Sequence, residues 1–254
     1  QEAPTLGIHN LTHEITPYNI FEASYRLFQT VEYWPQGTTF VSVVDPGVGS
    51  DRKSVVALTS RNQYIVTPDN GTLSYIKKHV GIKVVREISE IENRRRNTEL
   101  SYTFHGRDVY AFTGAKLASD HISFEEVGPE LAIESIVELP VVETVIEDNL
   151  VRGAVDILDV RFGSLWTSIT REEFYTLKPE FNDRFEVTIY NNDMLVYQNQ
   201  VTYGKSFAAV RIGQPIIYIN SLYRVGVAIN QGSFANAYNV GVGPQWRIEI
   251  KKLN

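Results

Sequence analysis

The sequence predicts an α/β protein in two parts, an N-terminal layered α/β domain over residues 1–140 and a mostly-β domain over residues 141–254. Three observations carry that expectation. Strand-like and helix-like patterns alternate as far as residue 118, and beyond Pro140 one strand pattern follows another. The composition, 43% hydrophobic and 21% charged, is that of an ordinary globular chain. At 254 residues the chain can bury roughly 70–75% of its unfolded surface, enough for one large core or two unequal ones without staples.

Taken in order, residues 40–44, 54–58, 63–66 and 83–88 are short apolar, β-branched runs and read as strands. Residues 22–30 and 72–79 place apolar side chains three and four apart, and residues 108–118 are rich in Ala, Leu and Lys, so all three read as helices. In the second half residues 150–160, 184–190, 194–202, 215–220 and 246–251 are strand-like, with Asn191-Asn192-Asp193 as a hairpin turn. The sequence shows no internal repeat and no low-complexity tract.

A net charge of −6 lacks the basic footprint that polyphosphates need, so no nucleic-acid partner is expected, and the arginines at 94–96 read as a solvated loop. No apolar run approaches the ~20 residues of a membrane span. The absence of cysteine excludes disulfides, thiolate nucleophiles and Cys-ligated metals. Gln1-Glu2-Ala3-Pro4 shows no basic stretch leading into an apolar one, so a cytoplasmic protein is expected.

Two segments have the composition of a reaction site. Val44-Asp45-Pro46-Gly47-Val48-Gly49-Ser50-Asp51-Arg52 sets an acid after a strand, then a glycine-rich turn, then an arginine. The plain alternative is a tight turn with a surface ion pair. A phosphate loop does not fit, because the third glycine of the dinucleotide fingerprint is missing, no glycine directly precedes Lys53, and the segment leads into a strand. Phe104-His105-Gly106-Arg107-Asp108 sets a histidine, the side chain best suited to proton transfer near neutrality, just before a predicted helix. A lone histidine is more often structural, and His79 and His121 have less to recommend them.

His9 and His13 have the spacing of helical zinc ligands but lie in a strand-like stretch ending at Pro17, where they would stand about 13 Å apart. Structural roles are expected there, and no metal site. Pro68-Asp69-Asn70-Gly71 reads as a turn, with Asp69 or Asn70 capping the next helix. Residues 159–166 and 220–223 interrupt strands with polar and aromatic groups, a mixture suited to a small polar-aromatic ligand.

In order along the chain, NLTHEITPYNI, PQGTTFVSVVDPGVGSDRKSVV, VTPDNGTLS, FHGRDVYA, VGPEL, DILDVRFGSLWTSI and INSLYRVGVAINQGS resemble the S-adenosylmethionine (SAM) hydroxide adenosyltransferase family nearly end to end. The family is related to the fluorinase and chlorinase that attack SAM with halide. The resemblance implies hydrolysis of SAM to adenosine and methionine without a cofactor. It also implies a barrel-like, smaller C-terminal β domain and a homotrimer whose sites lie where one subunit's first domain meets its neighbour's second.

The family's Asp–Arg–His triad carries over to Asp45, Arg52 and His105. Halogenating relatives have tyrosine in place of Asp45, and a carboxylate there repels halide but accepts a proton or hydrogen bond from water. Family contacts suggest Tyr18 beside the ribose, Asp159 and Ser221 at the methionine end, and Phe162, Phe207 and the Gln231 backbone around adenine, with Ser164 standing where the family usually has Asn. Family members normally begin with a strand ending in an Asp-Phe-Gly-type motif. This chain starts downstream of it and its only methionine is Met194, so a natural N-terminal segment of ~25–30 residues is expected. The competing functions are a halide-dependent SAM adenosyltransferase and a non-catalytic SAM or adenosine binder.

Overall fold

The computed structural model describes residues 4–98, 100–159 and 161–253; the expected strand end at Val160 lies outside them. The chain gathers into two compact units, Gln1–Leu139 and Pro140–Asn254.

The first unit is built on a five-stranded sheet in the order β1 (Thr39–Val41), β3 (Tyr64–Pro68), β2 (Ser54–Thr59), β4 (Ile82–Glu87) and β5 (Glu130–Leu131). Only β1 and β3 run parallel. Strands β2 and β3 are antiparallel because Thr59–Gln63 closes a tight turn, with Asn62 left-handed at φ 59° and Thr59 N–H donating to Gln63 O. The apolar run Ser54–Thr59 is buried on both sides, which explains why it does not alternate with polar residues. Val55 and Ala57 pack toward α1 (Ile20–Val31) and Ile76 of α2 (Ser74–His79). Val56 packs toward Val109, Tyr110 and Leu117 on the opposite face. The sheet is therefore the middle of three layers.

The expected helix at 108–118 is two elements, a π-helical turn over Gly106–Ala111 running into α4 (Phe112–Ala118). A further short helix, α3 (Glu90–Asn93), is bolted down by the buried Asn93, whose amide donates to Glu126 O and Val127 O. Other expectations need correction. Residues around His9 and His13 form no strand, and both side chains are exposed, since local bonds such as Glu14 N–H to Thr12 Oγ1 replace a ladder there. Neither Asp69 nor Asn70 caps α2: Asp69 accepts from Val137 N–H and Asn70 from Thr72.

In the second unit seven strands close on themselves, in the order β13 (Gly243–Lys252), β9 (Arg184–Asn191), β10 (Met194–Tyr203), β11 (Pro215–Ile219), β12 (Arg224–Ile229), β8 (Leu165–Thr170) and β7 (Leu150–Leu158), with β7 pairing back to β13. Strand β6 (Val145–Glu147) lies on the outer edge of β7. Every second residue points inward: Val151 and Val155, Leu165 and Ile169, Val225 and Val227, Ile248 and Ile250 fill the barrel. A short helix α5 (Arg171–Tyr175) is started by a capping box between Thr170 and Glu173.

Candidate active site

After β1 the chain leaves the sheet and turns back on itself. Val48 N–H donates to Asp45 O, Ser50 N–H and Oγ both donate to Gly47 O, and Gly49 takes φ 80°, a left-handed conformation that glycine adopts without strain. Asn70 fastens the start of the turn by donating to Val44 O at 2.8 Å. The turn therefore delivers Arg52 onto Asp45 as a fork: Nε donates to Oδ1 at 2.8 Å and Nη2 to Oδ2 at 2.5 Å. The side chains are only 10% and 6% exposed, so the surface ion pair considered from the sequence is not what forms.

Arg52 is fully engaged. Its Nη1 donates to Ser54 Oγ at 2.9 Å and reaches Lys53 O at 3.5 Å, while Nη2 also faces Nδ1 of His105 at 3.1 Å. The Tyr110 hydroxyl stands 3.0 Å from Ser54 Oγ and 3.5 Å from Asp45 Oδ2. Burial pushes the Tyr110 phenol well above its ordinary value, so it stays protonated. A π-helical turn is rare and often marks a functional site; this one follows directly on His105 and carries Tyr110 against the same carboxylate.

His105 is buried, 5% exposed. Its second nitrogen, Nε2, faces Nη2 of Arg94 at 3.0 Å, and Arg94 is held by Glu90 through Nε at 3.0 Å and Nη2 at 2.6 Å. Burial lowers the His105 pKa below 6.5; Arg52 and Arg94 push the same way, against Glu90 and Asp45. Sequence reasoning missed Arg94. Its run of three basic residues reads as a solvated loop, and Arg95 and Arg96 are indeed exposed, but Arg94 is 8% exposed. The signal was its place after the α3 residues Glu90 and Asn93, an i,i+4 ion pair on a helix pinned from behind.

The structure thus brings Asp45, Arg52 and His105 into one hydrogen-bonded chain. Tyr18 has no such link to it: it is 79% exposed, at φ 68°, just before the α1 cap Asn19. Among the described residues no three His, Asp or Glu side chains converge as a metal site would require, and no helix is long and apolar enough to cross a membrane.

In the second unit Asp159, Phe162 and Ser164 share one turn. Asp159 Oδ1 accepts from the N–H groups of Arg161 and Phe162, and Asp159 N–H donates to Ser164 O. Ser164 is 3% exposed and hydrogen-bonds to Tyr218, whose hydroxyl also accepts from Trp166 Nε1 and whose ring lies 5.0 Å from Phe207. Phe162 and Phe207 themselves are exposed. Gln231, left-handed at φ 58°, follows β12 at the end where Val227 pairs with Leu165. Ser221 lies in the turn at the opposite end of the β11–β12 hairpin, beyond the Ile219–Val225 pair.

Two models of one family match the chain. The SAM hydroxide adenosyltransferase N-terminal domain matches residues 1–128, and the C-terminal domain of the same family matches residues 153–247. A protein of Thermus thermophilus named (R)-S-adenosyl-L-methionine hydrolase is 30% identical over 98% of this chain and 90% of its own. One of the same name from Methanocaldococcus jannaschii is 43% identical over 43% of this chain and 40% of its own. A fluorinase of Actinopolyspora mzabensis is 25% identical over 94% of this chain and 86% of its own. Among solved structures, an uncharacterized conserved protein of Thermotoga maritima superposes with a TM-score of 0.88 at 32% identity, covering 99% of this chain and 91% of that one.

Proposed function

The chain belongs to the SAM hydroxide adenosyltransferase family, and from that premise we propose that it hydrolyses SAM to adenosine and methionine with Asp45, Arg52 and His105 at the reacting centre. A single observation carries the reading: Asp45, which the family resemblance sets where halogenating relatives have tyrosine, is a nearly buried carboxylate in the fork of an arginine. That group attracts water and repels halide.

A water oxygen attacks the ribose 5′ carbon in line with the C–S bond, the bonding pair leaves with sulfur, and the sulfonium becomes the neutral thioether of methionine. The proton of the attacking water goes to Asp45. Asp45 Oδ1 keeps a lone pair after Arg52 is bound, Oδ2 having the Tyr110 hydroxyl as a second donor, whereas both ring nitrogens of buried His105 face guanidinium groups. Arg52 fixes the carboxylate, and its N–H groups are committed to protein acceptors and His105. Holding the water in line supplies much of the barrier reduction, for which proximity can contribute ~7–11 kcal/mol.

The substrate is held by Tyr18 at the ribose, Asp159 and Ser221 at methionine, and Phe162, Ser164, Phe207 and Gln231 around adenine. The protein works as a cytoplasmic homotrimer whose sites draw these groups from neighbouring subunits. The exposed Phe162 and Phe207 support this, as apolar rings open to a ligand.

The test is incubation of the protein with the R and S sulfonium epimers of SAM in ¹⁸O-enriched water. The expected result is adenosine labelled at the 5′ oxygen, from the R epimer preferentially, with or without high chloride. A 5′-chlorinated nucleoside would replace this reading with the halide reaction, and binding without any product would reduce the protein to a SAM binder.

A further inference from the structure

The proposed centre contains a charged residue that the reaction scheme does not use. Arg94 ends the segment after α3, and that segment is rigidly placed: Asn93 is fully buried and bonded to Glu126 O and Val127 O, Thr113 Oγ1 donates to Asn93 O, and Lys116 Nζ donates to Asn93 Oδ1 at 2.7 Å. Arg94 N–H bonds back to Glu90 O and its guanidinium to the Glu90 carboxylate. Its Nη1, buried, has no hydrogen-bond partner among the described residues. A buried guanidinium with an unused donor is a penalty to the fold, so stability alone does not account for this arginine.

Its neighbour explains it better. An arginine offers only donors, and a neutral imidazole has one N–H and one lone pair. With Arg52 3.1 Å from Nδ1 and Arg94 3.0 Å from Nε2, a neutral ring accepts from one arginine, and an imidazolium would turn an N–H toward both. We infer that Arg94 is a positioning residue for the proposed centre: tethered by Glu90, it closes Nε2 of His105 and, with Arg52 on the other side, keeps the imidazole uncharged and in one orientation. His105 then serves as a neutral support for the Arg52–Asp45 pair and takes no proton from water. The charged groups acting on the ring are Glu90 and Arg94 from the α3 segment and Arg52 and Asp45 from the loop between β1 and β2, and burial adds to the two arginines in opposing protonation.

The inference rests on the proposed hydrolysis only for its catalytic consequence, and its physical content is tested without turnover. The five histidines of the chain allow the His105 ring to be assigned in ¹⁵N NMR by its disappearance in His105→Gln. In the full-length protein, Arg94→Met should move the His105 titration upward by about one pH unit or more, as expected for loss of a cation in contact with the ring. Arg94→Lys, which keeps the charge, should restore most of the difference. Arg94→Gln, which removes the charge but keeps a polar side chain beside Glu90, should move the titration upward as Arg94→Met does. It serves equally if Arg94→Met does not fold. For SAM hydrolysis, Arg94→Met should shift the acid limb of kcat upward with the NMR titration and leave KM unchanged. An unmoved His105 titration in Arg94→Met or in Arg94→Gln overturns the inference. If wild-type protein makes no adenosine while the titrations behave as described, the proposed function fails and the assignment of Arg94 stands.

Discussion

Asp45 and Arg52 are seven residues apart yet form a two-bond fork in a nearly buried setting, so charge and shape contribute separately. Asp45→Asn keeps the shape and removes the proton acceptor, and turnover should fall by at least ~10²-fold. Arg52→Lys keeps a charge beside the carboxylate but cannot reproduce the planar fork or reach Ser54 and His105 at once, so a fall of similar size is expected in steady-state assays. Near-normal turnover in either variant would remove that residue from the mechanism. His105 offers a check on stability instead of rate. Its folded pKa lies below the ordinary 6.5, chiefly because the ring is buried. Below about pH 6.5 the unfolded chain takes up a proton that the folded chain resists, so this contribution is complete above pH 6.5 and is lost as pH falls toward the depressed folded value. Denaturation midpoints measured from about pH 7.5 down to about pH 5 should drop less steeply in His105→Gln than in the parent. Parallel slopes would show that the ring titrates normally.

At the scale of elements, the triad depends on two pieces that come together far from the reacting atoms. Strand β1 leads into the Asp45 turn, and the π-helical turn that follows His105 continues as α4, where Gly114 lies directly on Val41 of β1. A Cβ at Gly114 would stand 2.7 Å from the Val41 side chain, too close for α4 and β1 to keep their spacing. Gly114→Val should therefore destabilise the protein by about 1–3 kcal/mol in urea unfolding. It should also lower kcat without altering any group that touches substrate; unchanged stability would mean that α4 can shift freely. The sequence shows why these elements form, since the apolar runs of β2 and β4 and the spacing in α1 are legible from residue type alone. The strands Leu165–Thr170 and Arg224–Ile229 are harder to read, because the polar residues Thr167, Ser168 and Arg224 are buried in them with partners such as Val225 O and Ser168 O that only the barrel supplies. Asp45, Arg52 and His105 stand out by motif. Arg94 does not, because its burial depends on α3 being pinned to residues 126–127, more than thirty positions away along the chain.

For the whole molecule, the proposed shared site can be tested on the assembly itself. The first unit holds the Asp45–Arg52–His105 chain and the second the turn of Asp159, Phe162 and Ser164. A homotrimer in which each site joins the first unit of one subunit to the second unit of the next is a closed heterologous ring. Such a ring allows complementation. Asp45→Asn spoils the first half of every site and leaves the second intact, whereas Asp159→Ala does the reverse. If sites are shared, subunits of the two variants mixed one to one by unfolding and refolding should regain activity, because about a quarter of the new sites join two intact halves. If each chain builds its own site, every site in the mixture keeps one defect and no activity returns. Light scattering on the same samples should show trimers throughout, and a monomer that hydrolyses SAM would refute the shared site whatever the mixing result.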